Sequence, residues 1–292
     1  MQRILVVSPN WLGDALFSTS LIAALKRNFA QSRLAVLSVP RVREIFQNNP
    51  NVDKIIIYDE KGKHGSLISR LGFVFALRKE RFDTAFMLRP SLSRTLILKY
   101  AGIKQIVGHD NPKSGKHLTI KVPPPADVLH KADYFLSLLE HLGLKISHRK
   151  YEFFPSNEDR AYVAGLFSEQ NMDASLPLIV INPGANWVPK RWPPENLAEL
   201  IRRLKERAAA NIAITGAKKD KDLTGEIINK SQAAKVFNFA GRTSLGQLGA
   251  LMEKADAVIS ADSGPMHIAA AVGAKVVALF GPTSPKITGP YP

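Results

Sequence analysis

The stretch AVISADSGPMHIAAAV, residues 257–272, runs from an apolar strand into a helix of small residues. The strand is predicted over 257–261 and the helix over 268–272. A strand followed at once by a helix is the building unit of a parallel α/β sheet. The stretch therefore predicts an α/β fold, and its turn 262–267 lies where such sheets bind ligands.

This turn has the composition of an anion-binding helix start. The first N–H groups of a helix have no intrahelical partner and carry a partial positive charge. Asp262 or Ser263 is expected to be the N-cap, Gly264 allows close approach of a ligand, and Pro265 suits the first helical turn. An ordinary capped helix would show the same residues. A second loop of this kind is what favours a phosphate site.

That second loop is NPGANWVPKRWP, residues 182–193, between the predicted strand 178–181 and a helix that starts near Pro194. Both loops follow strands, so both are expected at the carboxyl edge of one sheet. Lys190 is expected to meet a phosphate there as a mobile point charge. The plain alternative is a solvated surface lysine.

Strand patterns alternate with helical patterns along the whole chain. The other strands are predicted at 3–8, 34–39, 54–58, 84–88, 105–108, 212–215, 235–239 and 276–280. The other helices are predicted at 15–29, 66–79, 91–100 and 128–142. The polar, basic segment 143–157 separates the two halves. We expect two domains, 1–150 and 151–292, each with a doubly wound sheet.

Composition limits the function classes. The chain has 292 residues with 40 Lys and Arg against 25 Asp and Glu, a net charge of +15. Such an excess favours anionic partners: nucleic acid, phosphorylated substrates or an anionic membrane face. The absence of cysteine excludes disulfides and thiolate metal sites, and the scattered histidines predict no metal centre. With no apolar run of about 18 residues and no signal peptide, we expect a soluble, cytoplasmic protein.

The first half contains an equivalent loop, SPNWLGD, residues 8–14, which ends in the carboxylate of Asp14 before the helix predicted from Ala15. A dinucleotide fingerprint needs three spaced glycines, and only Gly13 is present, so a nicotinamide site is disfavoured. Asp14 either caps the helix or acts as a general base on a sugar hydroxyl.

Four ordered blocks now stand out: residues 10–15, 182–193, 262–271 and 278–283. Together they resemble the bacterial ADP-heptose:lipopolysaccharide heptosyltransferases, most closely the heptosyltransferase II branch, over nearly the whole chain. The resemblance implies the glycosyltransferase B architecture, two Rossmann-like domains facing a central cleft, with acceptor on the first and nucleotide-sugar on the second. It implies inverting transfer of L-glycero-D-manno-heptose from ADP-heptose to an inner-core heptose of lipopolysaccharide, without cofactor or metal.

The resemblance also implies roles for individual residues. Asp14 matches the base that deprotonates the acceptor. Lys190 and the helix start match positions that hold the diphosphate, and Asp262 is expected to cap and orient, because a carboxylate repels phosphate. The expected donor-binding residues are Gly184, Asn186, Lys190, Asp262, Ser263, Gly264, Met266 and His267. The expected acceptor-binding residues are Gly13, Lys61, Lys63, Arg94, Lys113 and Lys116.

Two departures leave alternatives open. The chain ends eleven residues after Gly281, whereas family members usually continue through further helices. The second domain is therefore expected to be short, either in a naturally short member or by truncation. Nothing in the residues specifies heptose, so a transferase for another nucleotide-sugar and a non-catalytic binder remain alternatives. Nucleic-acid binding is least favoured because no known motif is present. We expect a monomer, attached peripherally to the inner face of the inner membrane.

Overall fold

The computed structural model describes residues 1–113 and 115–291. The chain divides into two compact units, Met1–Glu152 and Phe153–Pro292. The division lies two residues after the boundary expected from the polar segment. Within the described ranges, no helix is both long and apolar enough to cross a membrane.

The first unit is built on six parallel strands in the order β3-β2-β1-β4-β5-β6. The strands are β1 Arg3–Val7, β2 Arg33–Ser38, β3 Lys54–Ile57, β4 Thr84–Met87, β5 Gln105–His109 and β6 Ile120–Val122. The helices are α1 Leu12–Asn28, α2 Glu44–Gln47, α3 Leu67–Lys79, α4 Leu92–Tyr100 and α5 Lys131–His141. Strand β6 was not predicted, because three residues are too few to show a period.

Burial explains why these strands read as apolar runs. Leu5 of β1 pairs in register with Ala35 of β2 and Ala85 of β4, and all three are inaccessible to solvent. Parallel strands are covered by helices on both faces, so every position is apolar rather than every second one. Helix α1 supplies much of that cover, and its residues 15–25 are buried.

The second unit has five parallel strands in the order β11-β10-β7-β8-β9. The strands are β7 Leu178–Asn182, β8 Asn211–Ile214, β9 Val236–Asn238, β10 Ala257–Ala261 and β11 Val276–Leu279. The helices are α6 Asn157–Glu169, α7 Pro194–Arg207, α8 Lys221–Ser231, α9 Leu245–Glu253, α10 Gly264–Ala271 and α11 Pro285–Thr288. Short 3-10 turns lie at Pro40–Val42, Gly115–His117, Val188–Lys190 and Lys218–Asp220.

Each sheet has one point where its winding reverses. In the first unit this point lies between β1 and β4, and in the second it lies between β7 and β10. The loops that leave two such strands diverge to opposite faces, which opens a crevice at the carboxyl edge. The α/β class with a parallel sheet in each half is confirmed. The strand order indicates that ligands bind at these two crevices.

Candidate functional site

Asp14 lies inside the first turn of α1 rather than before it. The helix begins at Leu12, three residues earlier than predicted, and its N-cap residue is Trp11, which makes no side-chain capping bond. The alternative that Asp14 caps the helix is therefore wrong. An acidic residue in a first turn is favoured by the helix dipole, and its carboxylate stays available for another task.

The main partner of Asp14 comes from the neighbouring strand. Arg89 follows β4, and its Nη1 lies 3.4 Å from Asp14 Oδ2. Burial raises the pKa of the Asp14 carboxyl above its ordinary value, and it outweighs the charges of Arg89 and Lys131 and the Arg89 hydrogen bond, which lower it. A carboxylate that holds a proton more strongly than usual is the better general base.

Asp14 forms part of the wall of a cavity of about 270 Å³, here called the Asp14 cavity. Its other lining residues are Leu88, Arg89, Pro90, His109, Asp110, Asn111, Lys131, Tyr134 and Phe135. These side chains come from the start of α1, the loop after β4, the end of β5 with the loop after it, and the start of α5. The cavity therefore lies at the crevice beside β1 and β4. Its charged groups are two carboxylates, Asp14 with its raised proton affinity and Asp110, and two cations, Arg89 and Lys131. This combination suits a substrate that bears a hydroxyl together with anionic groups.

His109, the last residue of β5, lines this cavity with an uncharged ring. Its Nε2 lies 3.0 Å from Ser137 Oγ, and the Ser137 hydroxyl donates to the Tyr134 carbonyl. Nε2 therefore carries the proton, and the buried Nδ1 is a lone pair without a hydrogen-bond partner among the described residues. Burial and, to a smaller degree, the charge of His141 lower the pKa of His109 to about 4. The ring is therefore uncharged at neutral pH.

Of Arg89, His109 and Lys131, the sequence suggests only Arg89 as a contact for an anionic acceptor, because it flanks the turn 90–93 together with Arg94. The other two were not assigned a role. Each was one basic residue among many along the chain. A usable signal existed for two of the three, since Arg89 and His109 stand at the carboxyl ends of β4 and β5. Only the strand order shows that β4 lies next to β1 and that β5 lies next to β4.

Arg94 holds the loop that precedes the helix of Asp14. Its Nη2 donates to Asn10 Oδ1 at 2.8 Å and its Nη1 to the Ser8 carbonyl at 3.5 Å. These contacts connect α4 to the segment between β1 and α1. Gly13 lies just after that segment, in the first turn of α1. The structure therefore assigns Arg94 a positioning role, and acceptor binding by Arg94 and Gly13 stays a prediction.

The four lysines expected to bind acceptor do not line the Asp14 cavity. Lys61 and Lys63 are exposed between β3 and α3, and β2 separates β3 from β1. Lys63 lines a different cavity with His64 and Phe73. Lys113 and Lys116 are exposed after β5. Their contacts with acceptor stay predictions, and the basic groups lining the Asp14 cavity are Arg89 and Lys131.

In the second unit, Asp262 and Lys190 join the two loops at the other crevice. Asp262 follows β10 and is 3% exposed, and its Oδ2 lies 2.7 Å from Lys190 Nζ. The same oxygen accepts a hydrogen bond from Thr283 Oγ1 at 2.5 Å. Lys190 ends the 3-10 turn Val188–Lys190 in the loop after β7. An ammonium has three N–H donors, so Asp262 can aim Lys190 without occupying all of them.

Of the two residues expected at the N-cap of α10, Ser263 holds that position, in extended conformation and without a side-chain capping bond. The prediction that Asp262 caps the helix is wrong, because its carboxylate is engaged by Lys190 and Thr283. The prediction that Asp262 orients a neighbouring group is consistent with its ion pair with Lys190. Without a side chain over it, the start of α10 is a stronger candidate for an outside anion.

Asn182, the last residue of β7, fixes the shape of this crevice. Its Nδ2 donates to the Gly184 carbonyl and to Ser263 Oγ, each at 3.2 Å, and the side chain is 2% exposed. A Cβ at Gly184 would come within 3.1 Å of the Asp220 carboxylate, so this turn has little room for a side chain. The sequence pattern places Asn182 at the start of the second loop but does not indicate this role.

The remaining donor-site predictions have different surroundings. Asn186 is exposed and accepts a hydrogen bond from Lys219 Nζ at 2.6 Å. Met266 is fully buried, and its N–H donates to the Ser263 carbonyl. His267 is 4% exposed. Met266 and His267 thus pack beneath the turn, whereas Ser263 and Gly264 are partly exposed at the helix start, and all ligand contacts here stay predictions.

Metal ligation has no candidate group in residues 1–113 and 115–291, where no three or more His, Cys, Asp or Glu side chains are arranged around a common point. The charged groups that could hold a phosphate are instead Lys190 and the α10 start. The first crevice offers a base beside two cations, and the second offers an anion site.

The chain is similar to known proteins in sequence and in fold. The sequence profile of Glycosyltransferase family 9 (heptosyltransferase) matches residues 70–292. Lipopolysaccharide heptosyltransferase 2 of Salmonella typhimurium is 31% identical over 310 residues, which cover 99% of this chain and 85% of that protein. The resemblance drawn from the four sequence blocks is confirmed.

Solved structures agree in fold. The structure of Escherichia coli ADP-heptose lps heptosyltransferase II matches with a TM-score of 0.84 at 28% identity, covering 99% of this chain and 88% of that one. A glycosyl transferase family 9 from Veillonella parvula matches with a TM-score of 0.91 at 24% identity, covering 99% and 83%. The second likeness, at this identity, concerns the fold alone.

Proposed function

We propose, from the premise that this chain belongs to glycosyltransferase family 9 (heptosyltransferase), that it transfers L-glycero-D-manno-heptose from ADP-heptose to an inner-core heptose of lipopolysaccharide. One observation carries the proposal: both reversal points of the two sheets bear a constellation suited to this reaction. Asp14 lies in a cavity at one of them, and Lys190 lies beside a helix start at the other. The relatives named heptosyltransferase 2 support the identity of the sugar and acceptor.

Asp14 acts on the acceptor. Its carboxylate takes the proton of the acceptor hydroxyl while that oxygen attacks the anomeric carbon of the donor heptose. The bond from this carbon to the diphosphate oxygen breaks, and ADP leaves with the bonding electron pair. A single displacement of this kind inverts the anomeric centre. The raised proton affinity of Asp14 lowers the cost of removing a proton from a poorly acidic hydroxyl.

The second unit stabilises the leaving group. Negative charge grows on the diphosphate as the bond breaks, and the Lys190 ammonium and the N–H groups at the α10 start offset it. Asp262 holds Lys190 in place, because its carboxylate is buried beneath the ammonium. We propose that these fixed charges supply the electrostatic stabilisation without a metal ion or cofactor.

The first unit binds the acceptor, which is an anionic sugar chain. Arg89 and Lys131 line the Asp14 cavity and complement phosphates or carboxylates of the inner core. We also propose that the enzyme is a monomer. A position at the inner face of the inner membrane follows from the acceptor's chemistry and from the chain's net charge of +15.

The donor class is tested by titrating the protein with ADP, UDP, GDP and a short RNA in the presence of EDTA. We expect selective binding of ADP and, with ADP-heptose and truncated lipopolysaccharide, release of ADP and a heptosylated product. Binding of UDP or GDP instead would indicate another nucleotide-sugar. ADP binding without turnover on any acceptor would indicate a non-catalytic binder, and binding of RNA alone would contradict the proposal.

The pH dependence tests the pairing of Arg89 with Asp14. The charge and hydrogen bond of Arg89 lower the pKa of Asp14, so Arg89→Gln should raise it further. Because only the ionised carboxylate is a base, the acidic limb of the kcat/KM profile should move to higher pH. Arg89→Lys, which keeps the charge, should move it less. If Arg89 only bound acceptor, KM would rise and the limb would stay in place.

A further inference from the structure

Helix α3 has two apolar faces, and only one of them is covered. Phe73 and Leu77 are 7% and 2% exposed and pack into the core of the first unit beside Tyr58. Leu67, Ile68, Leu71 and Phe75 are 74%, 83%, 52% and 63% exposed. At about 100° per residue, these four lie within an arc of about 100°. They are called the α3 apolar face below.

Single exposed apolar residues are ordinary on protein surfaces, but a cluster on one helix is not. A helix packed on one side normally shows polar residues on the other. Along α3 the solvent side instead carries two leucines, an isoleucine and a phenylalanine, with Gly72 and Ala76 beside them. Leaving this surface in water is unfavourable, so the face is suited to an apolar surrounding.

The surroundings of the α3 apolar face are strongly basic. Between residues 61 and 81 the chain has six basic residues and one acidic residue, and Asp59 and Glu60 directly precede this segment. The basic residues are Lys61, Lys63, Arg70, Arg78, Lys79 and Arg81. The acidic residue, Glu80, is paired with Lys54 at 2.5 Å. His64 adds no charge at neutral pH, because burial and the charge of Lys63 lower its pKa.

The position of the charges matches a helix that lies in a bilayer interface. Arg78 and Lys79 are exposed in the last turn of α3. With Leu67 at 0°, they lie at about 20° and 120° on the helical wheel, so Arg78 is within the apolar arc at its C-terminal end and Lys79 is just outside it. Long basic side chains at a helix end can extend toward headgroups while their stems cover apolar surface. Lys61 and Lys63 provide positive charge at the other end of the helix.

We propose that α3 is a membrane-docking helix whose Leu67, Ile68, Leu71 and Phe75 insert into the surface of a bilayer rich in anionic lipid. An anionic bilayer offers both features that the face requires, an apolar layer and negative headgroups directly above it. An apolar protein groove would satisfy only the first feature. Membrane docking goes beyond the transfer reaction. Only its purpose rests on the proposed function: docking would hold the enzyme where a lipid-linked acceptor is presented.

The test is co-sedimentation of the full chain with phosphatidylcholine vesicles that contain about one quarter phosphatidylglycerol, compared with pure phosphatidylcholine, at low and high salt. We expect binding to the anionic vesicles, weakened by salt. Ile68→Gln with Phe75→Gln should lower the partition coefficient at least about tenfold, since two large apolar side chains no longer enter the lipid. Both sites are exposed, and circular dichroism checks the fold.

A matched control is Val277→Gln, because Val277 is 54% exposed on the second sheet and away from α3 in sequence. It should bind vesicles like the unaltered protein. Equal binding by the α3 variant, or no binding by the unaltered protein, would overturn the proposal. So would a dimer in light scattering that the α3 variant loses, because a second copy would then cover the face.

Activity separates this proposal from the proposed function. The α3 variant should transfer heptose normally to a deacylated, water-soluble acceptor and at least about tenfold more slowly to acceptor embedded in vesicles, in line with its partition coefficient. Vesicle binding contains no donor or acceptor, so it can succeed where transfer fails. Equal slowing on both acceptors would overturn membrane docking and would make the face part of acceptor recognition.

Discussion

Replacing Asp14 by asparagine is expected to lower kcat for heptose transfer by about 10²–10⁴-fold, the usual contribution of a general base. Asparagine has nearly the same shape but cannot accept the acceptor's proton. ADP affinity should not change, because the proposed diphosphate contacts belong to Lys190 and α10. Single-turnover kinetics and ADP titration measure the two effects separately.

The same substitution should raise stability at neutral pH. Burial raises the pKa of Asp14 in the folded chain above its ordinary value of 3.8, so the folded state binds the proton more strongly than the unfolded state. The free energy of unfolding therefore falls as the pH rises from 3.8 to the higher pKa of the folded chain. Above that pKa the full cost of burying the charged carboxylate is present. Asp14→Asn removes that cost. Urea unfolding at several pH values checks the direction.

The control is Asp127→Asn, at an exposed carboxylate of the same unit. Its kcat should equal that of the unaltered protein. Asp14→Asn that kept its kcat would remove Asp14 as the base, and Arg89→Gln would then have no reason to move the pH profile. A loss of stability in Asp14→Asn would instead mean that its contact with Arg89 outweighs the cost of burial.

Replacing Lys190 by alanine is expected to lower kcat by about 10²–10³-fold, the size of effect seen when one charge-stabilising donor is lost. ADP should also bind more weakly. The substitution leaves Asp262 buried at 3% exposure with Thr283 still donating to it. Breaking a fully buried ion pair costs about 3–5 kcal/mol, and because the Lys190 side chain is 23% exposed we expect about 1–3 kcal/mol here.

A double variant separates the two roles of Lys190. Asp262→Asn removes the buried charge, so Lys190→Ala combined with Asp262→Asn should recover most of the lost stability. Transfer should stay as low as in Lys190→Ala, because the ammonium that meets the diphosphate is still missing. Recovery of transfer in the double variant would mean that Lys190 serves only to neutralise Asp262. Urea unfolding and initial rates on the same preparations provide the comparison.

Local patterns predicted the elements that carry these residues. The apolar runs of β1, β7 and β10 identified strands, because buried parallel strands are apolar at every position. Helix starts were less accurate. Asp14 was expected before its helix, since Ala15 is the first small apolar residue of the run, whereas three residues of ordinary helical geometry precede it. Asp262 was expected to cap α10, but a buried carboxylate is more stable beside the Lys190 ammonium than over a helix end.

The sequence by itself determined the α/β class, the two-sheet organisation, the loops that bear Asp14, Lys190 and Ser263, and the family. These properties depend on residue type and spacing within short segments, which can be recognised along the chain. Only the tertiary structure decided that Arg89, His109 and Lys131 share a cavity with Asp14, and that Asp262 holds Lys190. The order of strands in a sheet brings distant chain segments together, and burial, which no local pattern specifies, sets the proton affinity of Asp14.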